Sequence, residues 1–83
     1  AEVEAALLSS PLVKDAAVKG VADEDAGEVP VAFVVPADGA EETAIRAHLA
    51  TCLAPYKLPR SITFLEVIPK SASGKILRRM LPV

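Results

Sequence analysis

The chain has 83 residues, 52% of them hydrophobic, with three aromatics, no tryptophan and a formal net charge of -2. That length supports one small domain, which buries only about 60–65% of its unfolded surface, and the composition leaves Val, Leu, Ile and Ala to build the core. It excludes a membrane span, because the longest apolar run, 29–37, is broken by Pro30 and Pro36 and falls short of the roughly 20 residues a spanning helix needs. The single cysteine, Cys52, cannot form an internal disulfide and points to a reducing compartment.

The charge is unevenly distributed. Residues 1–56 carry three Lys or Arg against ten Asp or Glu, whereas residues 57–83 carry six against Glu66 alone, so the basic end is expected to face an anion. The chain opens on Ala1 inside an apparent helix and without an initiator Met, as a piece of something longer would. The lack of a leader sequence therefore carries no weight.

Val3, Ala6 and Leu7 fall on one helical face and Pro11 stops the segment, so 2–9 reads as a short amphipathic helix. Two Val-rich runs, 13–21 and 29–35, bracket the acidic turn A-D-E-D-A-G-E and predict a hairpin. In the second run both alternating faces are apolar, which places it inside a sheet with Pro30 at its beginning. Ile45, Leu49, Cys52 and Leu53 follow the i, i+4, i+7, i+8 pattern of a second helix. Glu41 and Glu42 sit in its first turn, Cys52 is expected to face the core, and Pro55 ends it. A third strand is expected over 62–68, with the preceding helix as a right-handed crossover. Leu77, Met80 and Leu81 suggest a last short helix, stopped at Pro82. Residues 1–83 thus read as one α+β domain, a small mixed three-stranded sheet with flanking helices.

The segment P-K-S-A-S-G-K-I-L-R-R, 69–79, delivers a lysine from a small, flexible loop into a basic helix. Pro69 ends the preceding strand-like run, Ser71, Ala72 and Ser73 carry little bulk, and Gly74 tolerates backbone angles closed to other residues. Lys75 is therefore presented by backbone geometry. On composition alone it would be a flexible surface lysine, and solvated it contributes under about 1 kcal/mol. An ammonium about 4 Å from an anionic oxygen in a partly dehydrated cleft gains roughly 4 kcal/mol at an effective dielectric near 20. The G-K pair is not a phosphate-binding Walker loop, which needs glycine at Pro69 and Ser or Thr at Ile76.

Other candidates are weaker. Arg78 and Arg79 read as a solvated face, and Lys57 and Arg60 serve loop solubility equally well as phosphate contacts. His48 lies at the edge of its helix's apolar stripe without a second ligand at metal spacing. The acids Asp23, Glu24, Asp25 and Glu28 lack the twelve-residue spacing of a calcium loop, and Ser71 and Ser73 have no histidine nearby in sequence.

The 69–79 segment resembles the C-terminal signature of the adenylate-forming superfamily, which includes acyl-CoA synthetases, peptide-synthetase adenylation domains and beetle luciferases. The hairpin D-A-A-V-K-G-V-A-D-E-D-A-G-E-V-P-V-A-F-V-V, 15–35, and A-P-Y-K-L-P-R, 54–60, are similar to two further landmarks of that family's small domain. The resemblance covers essentially all 83 residues. The acyl-CoA ligase branch matches better than the peptide-synthetase branch, which tends to read Y-M-V-P and G-K-V-D-R at the corresponding places. The hairpin wording is close to that of 4-coumarate-CoA ligases, whereas A-P-Y-K-L-P-R is equally at home in fatty-acid ligases.

The resemblance implies a mobile C-terminal lid domain of a two-domain cytoplasmic enzyme that activates a carboxylic acid with ATP and passes it to CoA. Lys75 would assist adenylation and contact ATP or AMP, supported by Pro69, Ser73 and Gly74. Lys57 and Arg60 would meet CoA, and no metal ligand is expected here. ATP, Mg2+ and CoA would be bound mainly by a large N-terminal domain, and these residues alone should catalyse nothing. The pattern also resembles sites silenced by lysine acetylation, which implies an acetyltransferase and deacetylase acting on Lys75. Two other readings stay open: an adenylation domain loading a carrier protein, and a non-enzymatic module gripping an anion such as RNA through its basic tail. Against the latter stand the acidic balance and an expected lack of exposed aromatics.

Overall fold

A computed structural model describes residues 2–25 and 27–82. Helix α1 (Glu2–Leu8) leads into strand β1 (Val13–Asp23), which turns back as β2 (Gly27–Pro36). Helix α2 (Glu42–Cys52) then precedes β3 (Ser61–Phe64). The sheet order is β1-β2-β3, with β1 antiparallel and β3 parallel to β2. Parallel neighbours cannot be joined by a tight turn, so α2 lies in the connection that returns the chain to the start of the sheet.

Strand β2 takes the central place that its two apolar faces demand. Val31, Ala32, Phe33 and Val34 are all buried. Ala32 and Val34, with Ala16 and Ile62, face α1 and α2 through Ala6, Leu7, Ile45, Leu49 and Leu53. Val31 and Phe33, with Ala17, are covered on the opposite face by Ile68 and Leu81 from the C-terminal segment. A register shift between Val13 and Asp15 turns Val13 to the same face as Ala16, which strict alternation would have forbidden.

Several elements depart from the sequence reading. The hairpin strands extend two residues further toward the acidic turn, pairing Asp23 with Gly27, whose φ of 81° suits glycine. Strand β3 stops at Phe64 instead of running through residue 68. Pro30 and Val34 use their carbonyls toward β3, accepting the N–H groups of Arg60 and Leu65 at 2.8 Å each. The next β2 residue facing that way is Pro36, which has no N–H to give, so the ladder ends there. The C-terminal helix is a single 3-10 turn, Arg78–Met80, with Leu81 buried and Met80 exposed.

Cys52 is exposed, not core-facing. Ile45, Leu49 and Leu53, at i, i+4 and i+8, carry the contact with the sheet, and Cys52 falls beside that line in the last turn of α2. Among the described residues no helix is long and apolar enough to cross a membrane.

Phe33 is fully buried in the central strand, and Phe33→Ala is expected to cost about 3–5 kcal/mol, most of the stability of so small a domain. Urea unfolding followed by circular dichroism would show the midpoint collapse, whereas a change near zero would mean the second face of the sheet carries little of the core.

Candidate active site

The segment around Lys75 is a short closed hairpin, not a loop running straight into a helix. Lys70 and Ile76 form an antiparallel bridge, and Leu77 N–H donates to Pro69 O at 2.9 Å to close the stem. At the tip Gly74 N–H donates to Ser71 O and Ser71 N–H to Lys75 O, both at 2.9 Å. Gly74 makes this possible with φ at 86°, a conformation that costs other residues roughly 1–2 kcal/mol. Ser71 Oγ accepts the Lys75 N–H at 3.3 Å and lies 2.9 Å from Ser73 Oγ. Pro69, Ser73 and Gly74 thus each have a place in the turn that carries Lys75. Ser71, read from sequence only as a small residue, ties it together most heavily.

Lys75 is exposed at the tip. What distinguishes it is the fate of the other C-terminal cations. Lys57 Nζ lies 2.7 Å from Glu2 Oε1, Arg60 Nη1 2.9 Å from Asp23 Oδ1 and Lys70 Nζ 2.6 Å from Asp15 Oδ2. Arg78 contacts the Glu4 carboxylate and donates from Nε to Val18 O at 2.9 Å. Acids of the first 25 residues thus pair with four of the six bases of the C-terminal end. Among the described residues Lys75 and Arg79 are the two of these six without an acidic partner.

Arg78 is exposed, as its position suggested, yet it is tied to two partners. Glu4, with a side chain only 13% exposed, accepts both the Val18 N–H at 2.9 Å and the Arg78 guanidinium. Arg78 in turn takes the Val18 carbonyl, so the two side chains cap both groups of one residue on the outer edge of β1. No spacing rule links residues 4, 18 and 78; the signal lay only in the opposed charges of the two ends.

Lys57 and Arg60 do not converge with Lys75. Lys57 lines a cleft of about 450 Å3 together with Glu2, Glu4, Gly20 and Arg78, and neither Arg60 nor Lys75 reaches it. His48 joins α2 to α1: its Nε2 is 3.1 Å from Ser9 Oγ, 3.2 Å from Ala6 O and 3.6 Å from Cys52 Sγ. Among the described residues no group of three or more His, Cys, Asp or Glu is placed to hold a metal ion. The expected lack of exposed aromatics fails for Phe64, 40% exposed, and for Tyr56, which is 82% exposed with Lys57 Nζ 5.6 Å from its ring centre.

Residues 2–75 match the model of the AMP-binding enzyme C-terminal domain. The chain belongs to that family. Over 83 residues it is 59% identical to 4-coumarate–CoA ligase-like 9 of Oryza sativa subsp. japonica, covering 98% of this chain and 15% of that protein. Among solved structures it is similar to a fatty acyl CoA synthetase of Mycobacterium tuberculosis, with a TM-score of 0.87, 40% identity and coverage of 96% and 16% of the two chains. It also resembles the o-succinylbenzoate CoA synthetase of Bacillus subtilis in complex with its acyl-adenylate intermediate, with a TM-score of 0.90, 36% identity and coverage of 99% and 17%. The chain therefore spans about one sixth of the length of these relatives, and the family's small α+β domain is the fold described above.

The Glu2 contact has a measurable signature. Its hydrogen bond, then its charge, raise the Lys57 pKa above the ordinary 10.5, with a smaller hydrogen-bond contribution from Tyr56. A raised folded pKa means that the pair's contribution is present below the ordinary lysine value and is lost as pH climbs through the raised one. In Glu2→Gln the Lys57 side chain is expected to titrate at lower pH by NMR; an unchanged titration would remove Glu2 as the cause.

Proposed function

We propose that these residues form the C-terminal domain of a cytoplasmic, AMP-forming acid-CoA ligase in which Lys75 assists adenylation. The observation that carries this reading is the Lys75 turn, an ammonium without an acidic partner among the described residues on a closed hairpin, in a member of the AMP-binding enzyme C-terminal domain family. The relatives support the reaction class, since those matched include 4-coumarate–CoA and 2-succinylbenzoate–CoA ligases and a neighbour solved with an acyl-adenylate.

In the first half-reaction a carboxylate oxygen attacks the α-phosphorus of ATP and pyrophosphate leaves, giving acyl-AMP. Negative charge gathers between the carboxylate and the phosphate as the new bond forms. Lys75, brought against it by a large N-terminal domain, neutralises that charge. A gain of about 4 kcal/mol felt only in the transition state amounts to about a thousandfold in rate. In the second half-reaction the CoA thiol attacks the acyl carbonyl and AMP departs, and the domain turns to carry the Lys75 hairpin away.

Lys57 and Arg60 are assigned to CoA phosphates, which must compete with Glu2 and Asp23 for them; Arg60, 56% exposed, is the more accessible. Mg2+ would be carried by the nucleotide phosphates and held mainly by a large N-terminal domain; among the described residues no cluster of ligands is placed to hold it. Acetylation of Lys75 would cancel its charge and silence the first half-reaction; full activity after stoichiometric acetylation would dismiss this control.

In the full-length ligase, Lys75→Ala is expected to lower acyl-AMP formation by about a thousandfold while sparing thioester formation from supplied acyl-AMP. Equal loss of the two half-reactions would sink the assignment.

A further inference from the structure

We propose that Lys70 and Arg78 are positioning residues that aim the Lys75 ammonium by bolting both legs of its hairpin to β1 and α1. The inference rests on the adenylation role proposed for Lys75. The hairpin is anchored from beneath by apolar side chains, with Ile68 and Leu81 buried and Ile76 packed against them. Such contacts are non-directional: they hold the segment down without fixing how its tip leans.

Direction comes from two polar struts, one at the foot of each leg. On the incoming leg Lys70 Nζ reaches Asp15 Oδ2 at 2.6 Å. Directly after the outgoing leg, at the start of the 3-10 turn, Arg78 grips Glu4 and the carbonyl of Val18, the latter at 2.9 Å. Both struts land on β1 three residues apart, roughly 10 Å along a strand, and the five residues of the tip stand between them. Asp15 and Glu4 are themselves fixed, since each accepts a backbone N–H of β1, from Ala16 and Val18, at 2.9 Å. The struts therefore end on rigid points. Neither Lys70 nor Arg78 need touch a substrate for its loss to matter, because a displacement of about 1 Å at a reacting group costs up to about a hundredfold in rate.

The test compares Arg78→Ala, Arg78→Lys and Lys70→Met with Lys75→Ala in the full-length ligase, assaying the two half-reactions separately. Lys70→Met leaves Asp15 its bond to Ala16 and removes only a partly exposed pair, so this variant is expected to fold even if Arg78→Ala does not. Arg78→Ala should lower kcat for acyl-AMP formation about tenfold or more with KM for ATP and acid within about twofold, and spare thioester formation from supplied acyl-AMP. Arg78→Lys, which keeps the charge beside Glu4 but loses the forked geometry, should recover part of that loss. Lys70→Met should shift the same step in the same direction by about threefold or more. If Arg78→Ala and Lys70→Met leave acyl-AMP formation within about twofold of wild type while Lys75→Ala abolishes it, the positioning role is overturned and the role of Lys75 stands. Equal loss of both half-reactions would make the struts merely structural and overturn it too. Intact acyl-AMP formation in Lys75→Ala would instead remove the reading on which the inference rests.

Discussion

A strand that buries both of its faces has to be covered twice, and β2 imposes that requirement on a chain of only 83 residues. The acidic part of the chain, residues 1–56, supplies one cover, α1 and α2 against Ala32 and Val34. The other must come from what remains, and Ile68 and Leu81 of the C-terminal segment close over Val31 and Phe33. That segment is basic and the part it returns to is acidic. Covering the second face thus brings Lys70 to Asp15 and Arg78 to Glu4, and leaves Lys75 on the hairpin between them.

The apolar and polar parts of this closure do different things. Each fully buried Leu or Ile contributes roughly 1.5–3 kcal/mol, whereas an exposed ion pair contributes about 0–1 kcal/mol. Stability therefore comes mainly from the core, and the pairs select orientation. Glu4 differs from the others because its carboxylate is largely shielded and serves a backbone N–H as well as Arg78. Removing Arg78 takes one charged partner from a largely shielded carboxylate, a costlier change than deleting a surface lysine. Neutralisation of four cations also weakens the notion of a basic tail gripping RNA, despite the exposure of Tyr56.

What was legible in the sequence was whatever local pattern decides. The two-faced apolarity of 29–35 placed β2 at the centre, the spacing of Ile45, Leu49 and Leu53 gave the core face of α2, and the hairpin followed from Val-rich runs around an acidic turn. Errors arose where a partner elsewhere decides. Residues 62–68 have β-forming side chains throughout, yet the strand ends when β2 offers Pro36 instead of a donor. Cys52 fits a helical stripe, but the sheet reaches only the line through Leu53. The same limit applied to the candidate site: G-K after a proline and small residues pointed to Lys75, whereas the ties through Ser71, Asp15, Glu4 and Val18 depend on contacts between distant segments.

Of the two C-terminal cations lacking an acidic partner among the described residues, we propose that the one on the closed hairpin does the chemistry. ATP–pyrophosphate exchange by the full-length protein, driven by a panel of aryl and fatty acids, tests this when Lys75→Ala is set beside Arg79→Ala. Acid-dependent exchange is expected to be lost in Lys75→Ala and to stay within about threefold of wild type in Arg79→Ala. Exchange unchanged by Lys75→Ala, or lost only in Arg79→Ala, would place the adenylating cation elsewhere.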